Sequence, residues 1–193
     1  MTGGFFLELV EPIRDKKQLD NMKRYLKERN FRDYLLFVLG INSGLRISDL
    51  LNLKVEDVKG KERIRIHEKK TGKLKDFPLG DNSKKAISAY LRQSNNSSGS
   101  LFSSRKKDGS QGSGAISRQQ AYEIINRAAR AVGIKSPIGT HTLRKTFGYW
   151  AYKAGYDLSR IQQLLNHASP QITLRYIGIT QDELDQIYIH LNL

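Results

Sequence analysis

His141-Thr142-Leu143-Arg144 opens a stretch, closed by Gly155, that reads as a helix from His141 to Ala154. Residues three apart on a helix share a face, so the imidazole and the guanidinium point the same way. A guanidinium offers a planar fork of donors that matches two phosphate oxygens. An imidazole beside it can donate a hydrogen bond or move a proton near neutral pH. Taken alone, such a pair is also common on protein surfaces.

Two further stretches bracket this helix. Upstream, Gly44-Leu45-Arg46-Ile47-Ser48-Asp49-Leu50-Leu51 follows the break Asn42-Ser43-Gly44 and restarts a helix expected from Leu45 to Leu53. Arg46 sits among apolar residues, hence close to a core face, and Asp49 is placed to orient it or a neighbouring group. A helix turn with an internal ion pair is the plainer account of the same residues. Downstream, Leu164-Leu165-Asn166-His167-Ala168-Ser169 puts a histidine at the end of an amphipathic helix. Tyr176, in Ile172-Thr173-Leu174-Arg175-Tyr176, stands nine positions further on. A lone tyrosine there would ordinarily be a core or interface residue.

The remaining segments frame these three. Asp15 is an N-cap candidate for a charged helix over 16–29, which Asn30 interrupts before a more apolar helix from Phe31 to Ile41. Arg63-Ile64-Arg65-Ile66-His67 alternates polar and apolar, the mark of a half-buried strand. Thr71-Gly72-Lys73 supplies a turn and Lys75 to Leu79 a second short strand, which makes a β-hairpin. Helices are expected over Asp81–Gln93 and Ser117–Val132, separated by a Ser/Asn loop and a basic Gly/Ser-rich stretch from Ser103 to Gly114. That stretch reads either as a solvated loop or as a DNA-facing one. Asp157 caps Leu158–Leu165, whose Leu158, Ile161, Leu164 and Leu165 form one apolar face, and Ser169-Pro170 starts a helix through Tyr176. Thr180-Gln181-Asp182-Glu183 is a capping box for a last helix. The expected fold is mainly α with one small β-hairpin, an α+β domain.

Composition narrows the function class. The 193 residues suit a single domain, and 33 Lys+Arg against 19 Asp+Glu give a formal net charge of +14, which favours a polyanionic partner. The absence of cysteine rules out disulfide scaffolds, thiolate metal sites and cysteine nucleophiles, and fits a reducing cytoplasm. No apolar run approaches the ~18–20 residues that span a bilayer, and the first residues lack a secretory pattern. The expectation is a soluble cytoplasmic protein associated with the nucleoid. There is no His-Glu-x-x-His pattern, no run of carboxylates placed for Mg²⁺ and no Gly-x-x-x-x-Gly-Lys-Ser/Thr loop, so neither metal nor other cofactor is expected.

Taken in order, Gly-Leu-Arg-x-x-Asp, a Lys-Thr-Gly hairpin, His-x-Leu-Arg, Leu-x-His and then Tyr resemble the tyrosine recombinase, or phage integrase, family from about Pro12 to Tyr176. The resemblance implies the catalytic domain of that family, the DNA breaking-rejoining fold, over residues 1–193, with the family's N-terminal core-binding domain missing. It implies that Arg46 and Arg144 bind the phosphate, that His141 and His167 handle hydrogen bonds and protons, and that Asp49 is supporting. Lys70 takes the position of the catalytic lysine, with Lys73 in reserve, and Tyr176 that of the nucleophile, with Tyr188 its rival. Tyr149, Tyr152 and Tyr156 are expected to pack. The implied activity is site-specific recombination through a 3′-phosphotyrosine on double-stranded DNA. The implied assembly is a monomer when free and a tetramer on DNA, with the helix at 181–193 docked on its own domain or on a neighbouring protomer. DNA relaxation of the type IB topoisomerase kind, or a non-catalytic DNA-binding regulator on the same fold, would carry many of the same residues.

Overall fold

The computed structural model describes residues 10–94, 97–104, 114–179 and 181–191. The described residues form nine α-helices and one two-stranded sheet: α1 Lys16–Arg29, α2 Phe31–Ser43, α3 Ile47–Leu51, β1 Arg63–His67, β2 Leu74–Pro78, α4 Asp81–Gln93, α5 Arg118–Ala131, α6 Thr140–Lys153, α7 Leu158–Leu164, α8 Pro170–Ile177 and α9 Gln181–Leu191. The α+β expectation stands. The basic stretch at 105–113, Thr180 of the last capping box, and residues 192–193 lie outside the described residues.

Helix α2 is the hub. Its run Leu35-Leu36-Phe37-Val38-Leu39 is fully buried, and the helices α1, α4 and α6 pack around it. A single residue, Asn30, ends α1 and starts α2: its amide donates to Leu26 O, while its side-chain oxygen accepts from the amides of Arg32 and Asp33. At the other end Gly44 adopts φ +60°, and a Cβ there would lie 2.5 Å from Phe147 Cδ1. Only glycine meets both demands without strain. The chain leaves Gly44 extended, so α3 starts at Ile47 with Arg46 as its cap (φ −67°, ψ 149°), a shorter helix than the one expected over Leu45–Leu53. That extended residue lets Arg46 turn away from the helix axis.

A second, smaller cluster of Tyr149, Ile161, Leu165 and Ile177 joins α6, α7 and α8. Leu164 does not share it. It is 47% exposed, because the two-turn α7 fills its inner face with Ile161 and Leu165. Tyr156 likewise is 60% exposed rather than packed, since it follows the α6 terminus on a Gly155 turn. Ahead of α1, residues 11–14 form a strap across α6: Ile13 N donates to Thr146 Oγ1, Trp150 Nε1 to Ile13 O, and Arg14 Nη2 to Gly178 O at the end of α8. No helix among the described residues is long and apolar enough to cross a membrane.

Candidate active site

The phosphate-type donors come from two helix starts. Arg144, on the first turn of α6, is 3% exposed; its Nη1 donates to Gly44 O at 2.6 Å and its Nη2 to Leu165 O. One guanidinium therefore ties the end of α2 to the end of α7. Arg46 approaches from the α3 cap and forms an ion pair with Glu68 (Nη1–Oε1, 2.8 Å), with 19% of the arginine side chain still exposed. A planar fork held by carbonyls and a carboxylate is fixed in direction, which is what a preorganised anion site requires.

Tyr176 lies on α8 with its ring in a T-shaped contact with His167, the centroids 4.7 Å apart. Its hydroxyl oxygen is buried and makes no aligned hydrogen bond. Burial raises the phenol above its ordinary value; the charges of Arg144 and Arg46, with a hydrogen-bonding approach from Arg144 that falls short of good alignment, oppose that rise. His167 Nδ1 meets Thr173 Oγ1 at 3.1 Å, while Thr173 Oγ1 itself donates to Ser169 O. The threonine has one proton to give, so the imidazole carries its proton on Nδ1 and leaves Nε2 as an acceptor. Burial, then Arg144 and Arg46, push this imidazole down to about 4. Loss of hydration and the cations Arg118, Arg144, Lys145 and Arg46 lower His141 as well. Arg144 and Arg46 thus act on His141, His167 and Tyr176 alike, so these three residues expected from sequence all lie within the electrostatic reach of the two arginines.

The hairpin departs from expectation. Lys70 and Lys73 stand exposed on the turn, while Lys75 on β2 reaches the cluster and donates from Nζ to Leu164 O at 2.8 Å. Burial, followed by repulsion from Arg144, pushes the Lys75 ammonium down to about 8, with Glu68 and Asp49 resisting. The strand register explains the difference. Lys75 pairs with Ile66, and directly opposed residues of an antiparallel pair share a face, so Lys75 is on the inward side. Asp49 is 2% exposed and accepts from Lys69 N at 2.9 Å. It holds the backbone of the turn; the partner of Arg46 is Glu68.

Glu68 is the residue that motif reading missed. It is fully buried and accepts from Thr71 Oγ1 (2.8 Å) and Asn166 Nδ2 (2.7 Å) besides pairing with Arg46. Burial alone would raise this carboxyl, but the bonds from Thr71, Arg46 and Asn166, with the arginine charge, hold it below the usual range. A signal was present: Ile64, Ile66 and Glu68 follow period two, so an acid continues the core-facing side of β1. Asn166 in turn adopts φ +48°, the one non-glycine residue with positive φ among those described. Its bond to Glu68 compensates that strain and links the His167 loop to the hairpin.

The phage integrase family matches residues 14–183, most of the chain. The chain belongs to the phage integrase family. Among curated relatives of this integrase, the probable integrase/recombinase YoeC of Bacillus subtilis (strain 168) is 42% identical over 182 residues, 94% of this chain and 97% of that protein. The tyrosine recombinase XerA of Pyrococcus furiosus is 30% identical over 180 residues, 92% of this chain but 61% of that protein. The integrase is thus about as long as YoeC and spans about three-fifths of that larger recombinase. A crystal structure of XerA recombinase superposes with a TM-score of 0.76 at 21% identity, covering 95% of this chain and 65% of that one, and it shares the fold.

Proposed function

We propose that this integrase cuts and rejoins double-stranded DNA through a 3′-phosphotyrosine at Tyr176. The observation that carries the reading is the placing of two fixed guanidiniums beside a buried phenol whose ring contacts an imidazole. Arg46 and Arg144 bind the non-bridging oxygens of a phosphodiester and stabilise the charge that grows on them. The phenol attacks phosphorus in line and passes its proton to His141, while His167 lends a further hydrogen-bonding group from below. The P–O bond to the 5′ oxygen breaks, and that oxygen takes a proton from a hairpin lysine. Lys70 is the residue the family resemblance names for this step, and Asp49 supports it by fixing the Lys69 amide. The phosphotyrosine conserves the bond energy, so the reverse attack by a 5′ hydroxyl rejoins the strand.

The relatives named integrase and tyrosine recombinase support strand exchange, and solved neighbours are described as recombinases bound to their DNA substrate. The basic excess, +14 overall, supports DNA as the partner. We propose further that the domain is monomeric when free and tetrameric on DNA. The exposed Tyr188, Ile189 and Leu191 on α9 support docking of that helix on a neighbouring protomer.

The test is covalent capture. The full chain is incubated with a pool of nicked duplexes whose flanks are randomised, denatured, and separated from unbound DNA. A covalent adduct is expected from the wild type and none from Tyr176→Phe. An adduct that survives in Tyr176→Phe and maps to Tyr188 overturns the assignment. No adduct from either protein, with DNA still bound, would favour the non-catalytic regulator.

A further inference from the structure

One buried cation beside the nucleophile has no part in the scheme above. Lys145 follows Arg144 on α6 and is 6% exposed. Its Nζ stands over the Tyr176 ring, 5.3 Å from the centroid. The same ring is in T-shaped contact with His167. Glu11 and Arg14 of the strap also act on Lys145, one attracting the ammonium and the other repelling it. Arg14 is itself bonded to Glu11 and to Gly178 O, the carbonyl that closes α8.

A phenol that must attack phosphorus has to move its oxygen during the reaction, so that oxygen is a poor point for a rigid anchor. The ring is then the part available to hold. His167 supplies packing against it, and an ammonium over a ring face supplies an electrostatic attraction that strengthens where water is excluded. We propose that Lys145 is a positioning residue for the nucleophile, its ammonium holding the Tyr176 ring in the docked position while the hydroxyl keeps its freedom to move. The inference deepens the reading of Tyr176 as nucleophile and rests on it for its meaning, but the docking itself is measurable without DNA. The charged and titratable groups around the ring are Arg144 and Lys145 from α6, Arg46 from the α3 cap and His167 from the loop after α7.

The experiment compares the full-length wild type with Lys145→Met, which keeps the stem and loses the charge, and with Lys145→Arg, which keeps the charge. Free protein is treated briefly with tetranitromethane, and nitration at Tyr176 is read by mass spectrometry against the exposed Tyr156 as internal standard. Loss of an interaction of this class releases the ring on the order of 2- to 30-fold more often. Lys145→Met should raise the nitration ratio by that factor, and Lys145→Arg should restore it. On DNA sites captured by the wild type, single-turnover cleavage should fall by a similar factor in Lys145→Met, with DNA affinity unchanged. An unchanged nitration ratio in Lys145→Met overturns the proposal. So does a ratio that rises equally in Lys145→Arg, since the ring would then be held by shape and not by charge. Should the wild type form no adduct, the nucleophile reading fails, while the nitration ratio still decides whether Lys145 docks the ring.

Discussion

Gly148→Ala offers a direct test of how tightly Tyr176, the proposed nucleophile, is placed. Gly148 lies in the middle of α6, facing α8, and a Cβ built on it falls 2.6 Å from Ile177 Cγ2 and 3.1 Å from Leu165 Cδ1. Carbon atoms in contact prefer about 3.5–4.0 Å, so the α8 side must retreat by roughly 1 Å. Neither neighbour can swing aside easily, because Ile177 and Leu165 are both fully buried. Ile177 adjoins Tyr176 in the chain, so the retreat carries the phenol with it. Overpacking of this kind costs about 1–3 kcal/mol. In a domain of this size that lowers Tm by roughly 2–12 °C. A displacement of about 1 Å at a reacting group costs on the order of 10²-fold in rate. Single-turnover cleavage of nicked DNA at saturation, with melting followed by circular dichroism, gives both numbers. Gly80→Ala, whose Cβ meets nothing within 4 Å, serves as the control. If Gly148→Ala melts lower yet cleaves at the wild-type rate, the claim that α6 packing sets the nucleophile is refuted.

Other outcomes follow from the same contacts. Glu68→Gln leaves Arg46 without its buried counter-charge; a loss of about 3 kcal/mol is expected, the low end for a broken pair because Arg46 keeps some access to water, and urea unfolding measures it. An unchanged unfolding midpoint would show that the arginine is held by something else. His167 is pushed from 6.5 to about 4, so on acidification the unfolded chain takes its proton first and stability falls as pH drops from about 6.5 towards 4. The full shift corresponds to about 3 kcal/mol, reduced to roughly 1–2 kcal/mol because the ring is only half-buried. The loss between neutral and acid pH should shrink in His167→Gln, and an identical loss in both proteins would contradict the assignment. A 5′-bridging phosphorothiolate supplies a leaving group that needs no proton, so it should rescue whichever of Lys70→Met and Lys75→Met removes the general acid. Rescue of Lys70→Met alone would leave Lys75 as a structural tie to Leu164 O.

How much of this was legible beforehand depends on the range of the interaction that fixes each residue. Helix caps and turns are local. Asp15, Asn30, Ser117, Asp157 and Ser169 each satisfy amides within three residues, and all five start helices in the structure. The strand Arg63–His67 was likewise readable, because period two is a property of the backbone itself. Arg46, His141, Arg144, His167 and Tyr176 were singled out by the resemblance to the integrase family, since each stretch taken alone has an ordinary structural reading. What spacing could not give is which donor meets which acceptor across the fold. That Glu68, and not Asp49, balances Arg46, and that Lys75 rather than Lys70 faces the cluster, depends on strand register and on how the hairpin lies against α3 and α7. The carbonyls of Gly44 and Leu165, which aim Arg144, are 100 and 21 residues away from it in the chain. Residue types and local order are written in sequence, but the direction of a buried charge is set by partners that only folding brings within reach.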